Sequence, residues 1–277
     1  MANRLDQIIA ATRERVARSK AGLSLQGLSD LNARAEKHVP RGFRSRLQQR
    51  ATNGAAVIAE LKRASPSRGP IRPHLEVAAT ARSLEENGAA ALSVLTDEKY
   101  FQGSLADLRD ASFATTLPCL RKDFIIDQFQ LVEAKAYGAD AVLLIVAAFS
   151  PQQDGDLARL GEEARNAGLE VLCEIHDEEE LARAIDAGLA HSMIGVNNRN
   201  LKNLTVDLGC GERLARRLPS RALRVAESGI QSSGDIRLLQ RAGYEAFLIG
   251  EMLMAADDPG ARLAGLLGEL RLELPAS

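Results

Sequence analysis

The chain has no tryptophan, three cysteines, four histidines and no long apolar run. Each scarcity excludes something. Cys119, Cys173 and Cys210 are odd in number and widely scattered, which argues against a disulfide framework or a zinc knuckle and points to a reducing, cytoplasmic compartment. No stretch approaches the roughly 20 apolar residues of a membrane span, and residues 1–20 contain no secretory core. Arginines there are interleaved with Asp6 and Glu14, unlike a transit peptide. An excess of one charge is missing too: 35 Lys and Arg stand against 37 Asp and Glu, a formal net charge of -2. That balance offers no broad basic surface to nucleic acid or an anionic membrane. No G-x-G-x-x-G follows the first apolar run, which removes the usual dinucleotide signature.

What remains is ordinary globular composition, 45% apolar and 26% charged over 277 residues, enough for one large domain or two small ones. A repeating punctuation organises it. Asn87-Gly88, Tyr137-Gly138, Ala167-Gly168, Ala187-Gly188 and Ala242-Gly243 each close a helix-like stretch and precede a short apolar run. Glycine in that place suits a left-handed helix stop. The apolar runs are VIAEL (57–61), ALSVLT (91–96), PCLRKD (118–123), AVLLIVA (141–147), EVLCEI (170–175), MIGVNN (193–198), RVAES (224–228) and AFLIG (246–250). Near-continuous apolar strands alternating with helices mean a parallel sheet covered by helices. Eight such units predict a closed α/β barrel, the (β/α)8 or TIM barrel, with an open doubly wound sheet as the competing architecture. Residues 1–50 precede the first strand, and residues 51–277 form the barrel. RLDQIIAATRERVARSK sets Leu5, Ile8, Ile9 and Val16 on one helical face, with Thr12 its polar interruption. The segment reads as a helical extension packed on the barrel within one domain overall; a dimerisation arm is the other reading.

Functional residues of such barrels gather where strands end and the following loops begin. Those ends hold Glu60 and Lys62, Lys122, Glu174, Asn197 and Glu227. Side chains two apart on a strand share a face, and Ile58, Leu120, Leu172 and Val225 precede four of them by two. One inward charge at a strand end is commonly a structural ion pair. Several on one rim are costly to bury unless paired, so an active site is the simpler explanation. Later in the chain, Ser228-Gly229-Ile230 follows the seventh run and Gly250-Glu251 the eighth. Small residues in those two loops let backbone amides approach an anion, the usual phosphate cradle of these barrels. Cys173 and His176 spell C-x-x-H, but Cys173 has outward parity and no second ligand pair exists, so no metal is expected. His74 and His191 suggest no partner. Phe101, Phe124, Leu143, Leu201 and Leu204 read as core by default, although Phe124 shares the face of Lys122 and is placed to wall a pocket.

The blocks VIAELKRASPSRG, ALSVLTDEKYFQGS, PCLRKDFIIDQFQ, GADAVLLIVA, LCEIHDEEEL, IGVNNRNL and RVAESGI resemble, in order, segments of the indole-3-glycerol-phosphate synthase family, from about residue 4 to residue 255. The resemblance implies a tryptophan-pathway carboxy-lyase. It would convert 1-(2-carboxyphenylamino)-1-deoxyribulose 5-phosphate into indole-3-glycerol phosphate, carbon dioxide and water, without a metal or organic cofactor. By motif, Lys122 and Lys62 resemble the catalytic lysines. Glu60, Glu174 and Glu227 resemble catalytic or sugar-binding carboxylates, with Asn197 and Ser228 beside them. Ser65, Gly229, Gly250 and position 251 resemble the phosphate site, and Arg199 follows the sixth strand. Phe101, Phe124, Leu143, Leu201 and Leu204 would line the anthranilate pocket. Two departures stand out. Glu251 occupies a position where some relatives have a small residue, so its carboxylate is expected to turn away while the amide serves. With no tryptophan, any aromatic lid from the extension must be built otherwise. The implied partner is a phosphorylated small molecule, with a monomeric enzyme, possible pathway-enzyme docking, and no nucleic acid or membrane. A phosphoribosylanthranilate isomerase needs an acid–base pair but not two rim lysines. A non-catalytic barrel scaffold should have lost several rim charges.

Overall fold

The computed structural model describes residues 4–52, 54–200 and 205–272. Three helices come first. Helix α1 (Arg4–Gly22) buries Leu5, Ile8, Ile9, Thr12 and Val16 as one stripe. Helix α2 (Leu25–Lys37) starts at Ser24, whose hydroxyl accepts from the Gly27 amide at 3.0 Å. Helix α3 (Phe43–Ala51) drives Phe43 and Leu47 into the core, both fully buried.

Eight parallel strands follow: β1 (Ala56–Leu61), β2 (Ala91–Leu95), β3 (Cys119–Lys122), β4 (Ala141–Ile145), β5 (Glu170–Ile175), β6 (Met193–Asn197), β7 (Leu223–Glu227) and β8 (Ala246–Ile249). They close in the order β1-β8-β7-β6-β5-β4-β3-β2. Closure is visible at Ile58, which is in register with Leu248 on one side and Ala91 on the other. The closed barrel replaces the competing open sheet. The main covering helices are α4 (Val77–Glu86), α6 (Leu105–Ala114), α7 (Gln128–Ala136), α8 (Asp154–Asn166), α9 (Glu178–Asp186), α10 (Leu208–Ala215), α11 (Ser233–Ala242) and α13 (Pro259–Leu272); α5 (Glu98–Phe101) and α12 (Glu251–Met254) are single turns. Among the described residues no helix is long and apolar enough to cross a membrane. The five glycines expected to stop helices all have positive φ, between 75° and 103°.

Element ends differ from expectation by one or two residues, as hydrogen-bond-defined boundaries do. The 141–147 run leaves the sheet at Ile145 and continues as a 3-10 turn, Val146–Ala148. The Ser/Pro/Gly-rich loop after β1 has order of its own: Ala64–Ser65 pairs antiparallel with Gly69–Pro70.

The N-terminal helices reach both ends of the barrel. At the end where strands start, the Arg44 amide donates to Glu170 at 3.0 Å, and Arg41 grips the buried Asp140 carboxylate through its backbone amide, Nε and Nη2 at 2.6–3.0 Å. At the opposite end, Arg15 of α1 grips Asp123, one residue beyond β3, at 2.7 and 2.9 Å. Arg121 lies fully buried on the outer face of β3 and donates to Asp123 at 3.0 Å, Thr96 at 3.2 Å and the Gln130 carbonyl at 2.7 Å.

Candidate active site

The period of a strand brings the rim together. Lys122 ends β3, Glu174 lies near the end of β5, Asn197 ends β6, and Glu227 ends β7. All four line one pocket at the C-terminal mouth of the barrel. The Lys122 ammonium donates to Glu174 at 2.8 Å and to Glu227 at 3.0 Å, and the Asn197 amide donates to the other Glu174 oxygen at 3.0 Å. Across the mouth, Lys62 pairs with Glu60 at 2.7 Å. A run of two asparagines serves both faces of the wall. Asn197 points inward, whereas the Asn198 side chain donates to the Glu227 carbonyl at 3.0 Å and accepts from the Gly211 amide at 3.0 Å, pinning the end of β7.

Burial alone would push Lys122 down, but the nearby charges of Glu174, Glu227 and Glu60 outweigh it and hold the ammonium above the usual lysine value. Burial would likewise raise Glu174, yet Lys122 and His176 win and hold it well below the ordinary glutamate value. Glu227 goes the other way: burial, aided by the neighbouring Glu174 charge, outweighs Lys122 and raises it to about 7. One carboxylate is thus kept anionic and its neighbour brought near neutrality, the divergence that separates acid from base roles. Glu227 Oε1 is buried with no hydrogen-bond partner among the described residues. It sits where a side chain on residue 195 would be, since a Cβ there would lie 2.0 Å away, so Gly195 is required for the carboxylate to occupy its place.

Around this charged floor, Phe101 and Phe124 form a tilted aromatic pair with ring centroids 6.5 Å apart, and Leu143 joins them in the lining. Opposite lie Ser65, Arg199, Ser228, Gly229, Gly250 and Glu251. Ser228 and Gly229 are both left-handed, φ 63° and 83°, and left-handed backbone at a non-glycine residue is uncommon enough to mark a constrained site. Glu251 is held at 2.7 Å by Arg68 and at 3.3 Å by Arg199. Leu201 and Leu204 lie outside the described residues. Helix α1 contributes Arg4, Leu5 and Ile8 to the same wall, one basic and two aliphatic side chains and no aromatic one.

Two residues of this neighbourhood take places that the sequence reading does not give them. His176 lies 3.5 Å from Glu174 and bonds Glu180 at 3.0 Å through its other nitrogen. Burial would lower the imidazole, but Glu180 and Glu174 hold it above its usual value. Its signal was available, because it follows Glu174 by two and shares the inward parity. Arg68 had none, being one arginine in a turn. No cluster of three or more metal-ligating side chains exists among the described residues. Cys173 is buried on the outer face, with its thiol pushed up by that burial.

A closed parallel barrel with lysines and glutamates converging at its C-terminal mouth defines a (β/α)8-barrel enzyme of acid–base type. Comparison with known proteins narrows the class. The profile of the family described as indole-3-glycerol phosphate synthase matches residues 5–266. The protein of that name from Koribacter versatilis is 54% identical over 268 residues, covering 97% of this chain and 100% of the relative. Its namesake from Rhodospirillum rubrum is 46% identical over 270 residues, with 97% and 100% covered. The chain belongs to the indole-3-glycerol phosphate synthase family. Among solved structures, thiamine phosphate pyrophosphorylase from Pyrococcus furiosus has a TM-score of 0.58 at 16% identity, covering 80% of this chain and 98% of that one. A mandelate oxidase variant has a TM-score of 0.58 at 20% identity, covering 78% and 72%. These two likenesses concern the fold alone.

Proposed function

We propose that the chain carries out its family's reaction, closing 1-(2-carboxyphenylamino)-1-deoxyribulose 5-phosphate to indole-3-glycerol phosphate with loss of carbon dioxide and water. The observation that carries the proposal is the Lys122 ammonium held at 2.8 and 3.0 Å by Glu174 and Glu227, facing a second pair, Lys62–Glu60. In ring closure an aromatic carbon attacks the ketone, and the developing alkoxide takes a proton from Lys122. Carbon dioxide leaves, and its bonding electrons restore the ring. Dehydration follows: Lys62 protonates the departing hydroxyl, and Glu60 or Glu174 removes the ring-adjacent proton. Acid–base groups alone balance these steps, so no metal or organic cofactor is invoked. Asn197 orients Glu174, and Glu227 and Ser228 contact the sugar chain. Ser65, Gly229, Gly250 and the Glu251 amide receive the phosphate. Phe101, Phe124 and Leu143 pack on the anthranilate ring. We place the enzyme in the cytoplasm as a single folding unit, the N-terminal helices included, acting as a monomer.

The absence of tryptophan supplies the test. Adding the substrate should produce a rise in indole fluorescence against a tyrosine-only background; no rise at any substrate concentration would overturn the assignment. Lys62→Met should lower kcat by roughly tenfold or more, since a positioned acid contributes about 10²–10⁴-fold to its own step and that step shares rate control with others. Normal turnover with reduced stability would mean that the Lys62–Glu60 pair only braces the rim.

A pH dependence follows from Glu227. Its raised value means that the free enzyme gains a proton as pH falls through about 7, and the neutral carboxyl is a weaker acceptor for the sugar chain than the carboxylate. The kcat/KM profile should therefore fall on its acid side near neutrality, and Glu227→Gln should remove that limb. A limb near 4.5, the ordinary glutamate value, in the unaltered enzyme would exclude Glu227 as its source.

A further inference from the structure

Glu251 opens the single turn after β8, between two arginines from different loops. Arg68 of the hairpin after β1 reaches it through Nε at 2.7 Å, and Arg199 after β6 through Nη2 at 3.3 Å. The three residues tie three loops together beside Ser65, Gly229 and Gly250. Arg68 also donates its backbone amide to the Ser65 hydroxyl at 3.3 Å, and the Arg199 amide donates to the inward Asn197 side chain at 3.0 Å. Both arginines are thus anchored by their backbones near the pocket while their guanidinium groups are spent on a carboxylate.

We propose that Glu251 is an internal competitor for the substrate's phosphate, occupying Arg68 and Arg199 until a phosphate displaces it, and so sets the affinity of the enzyme for phosphorylated ligands. The inference rests on the placing of the phosphate beside Gly229 and Gly250. Three physical points carry it. The Arg68 side chain is 67% exposed, and ion pairs of that kind are worth little, so the contact is easily surrendered. A phosphate brings up to two negative charges and several acceptor oxygens, against one charge and two oxygens of the carboxylate, so it binds the same guanidinium groups more strongly. A carboxylate that stays charged beside the phosphate repels it, and one that has lost its arginines must turn to solvent. Its side chain is 17% exposed, so part of it already meets water.

The experiment uses Glu251→Gln, which keeps the shape and removes the charge. Inorganic phosphate is the probe, titrated by calorimetry and also as an inhibitor of turnover. Releasing the two guanidinium groups from the carboxylate in a partly wet site should tighten phosphate binding by at least about threefold, with KM for the substrate falling in parallel. The gain should vanish when Glu251→Gln is added to a variant already carrying Arg68→Met and Arg199→Met, the two being compared with each other, because no guanidinium is then left to be released. Phosphate affinity that is unchanged or weaker in Glu251→Gln would overturn the proposal, since the carboxylate would then be inert or would be organising the arginines for the ligand. The same tightening in the triple variant would overturn it too. The calorimetric arm needs no turnover, so a failure of the assigned reaction and a failure of this inference are read separately.

Discussion

Lys122→Ala is expected to lose at least about a hundredfold in kcat, the lower end of what a positioned acid contributes. The reason lies in what surrounds the ammonium. It is held by two carboxylates that are themselves almost completely buried, at 2.8 and 3.0 Å, and among the described residues no other lysine or arginine contacts either of them. A water molecule entering the space left by the side chain would be a far weaker proton donor to an alkoxide, and it would not neutralise the carboxylates. Glu174 and Glu227 would then repel each other across the gap and hold protons to higher pH. The variant should therefore show two changes: the loss in kcat, and an acid limb displaced upward. Steady-state turnover followed by indole fluorescence across a pH series reads both. Binding of inorganic phosphate, proposed above to fall at the loops after β7 and β8, serves as the check that the variant is folded. A loss under roughly tenfold, well short of the range for such an acid, would remove Lys122 from the acid role and leave it as a counter-ion for the two glutamates.

The site was legible where one rule, the two-residue period of a strand, met another, the convergence of barrel strand ends. Glu60, Lys122, Glu174, Asn197 and Glu227 satisfied both, and the structure gathers them in one pocket. The glycine stops were legible because left-handed backbone at a helix end is a local requirement that glycine meets best. Most of what the sequence hides obeys no local rule. Arg121 and Asp123 flank Lys122 with the opposite parity, where a helix-covered strand should be apolar, and their burial is explained by each other and by partners outside the strand, Arg15, Thr96 and the Gln130 carbonyl. Arg68 points at Glu251 because the loop after β1 folds as a short antiparallel pair, a direction that its composition does not encode. His176 has the same inward parity two residues beyond Glu174, but its C-x-x-H spacing with Cys173 reads first as a metal ligand.

Asp123→Ala should destabilise the fold by about 3–5 kcal/mol, as loss of one partner from a buried ion pair does. The carboxylate has no exposed surface and is the meeting point of three elements. It accepts from Arg15 of α1 at 2.7 and 2.9 Å, from Arg121 of β3 at 3.0 Å, from the Thr96 hydroxyl after β2 at 2.7 Å, and from the Phe124 amide at 2.8 Å. Removing it leaves the fully buried Arg121 facing an apolar methyl, with Glu133 at 3.2 Å as its remaining ion-pair partner. Arg15→Ala should cost less, because Asp123 would keep Arg121 and the lost guanidinium is partly exposed. Urea unfolding of the two variants beside the parent measures both values. The contribution should also depend on pH. Burial would raise the Asp123 carboxyl, but Arg121 and Arg15 outweigh it and hold it below its ordinary 3.8. A carboxyl depressed in the folded state contributes its full stability above the unfolded value and loses it as pH falls through the folded one. The parent should therefore weaken below about pH 4 by more than Asp123→Ala does, and the two unfolding free energies should converge there. A cost under about 1 kcal/mol at neutral pH, the size of an exposed pair, would mean that α1 is held by its apolar stripe alone. In that case the helix that carries Arg4, Leu5 and Ile8 to the pocket wall would dock without this charge anchor beside Lys122.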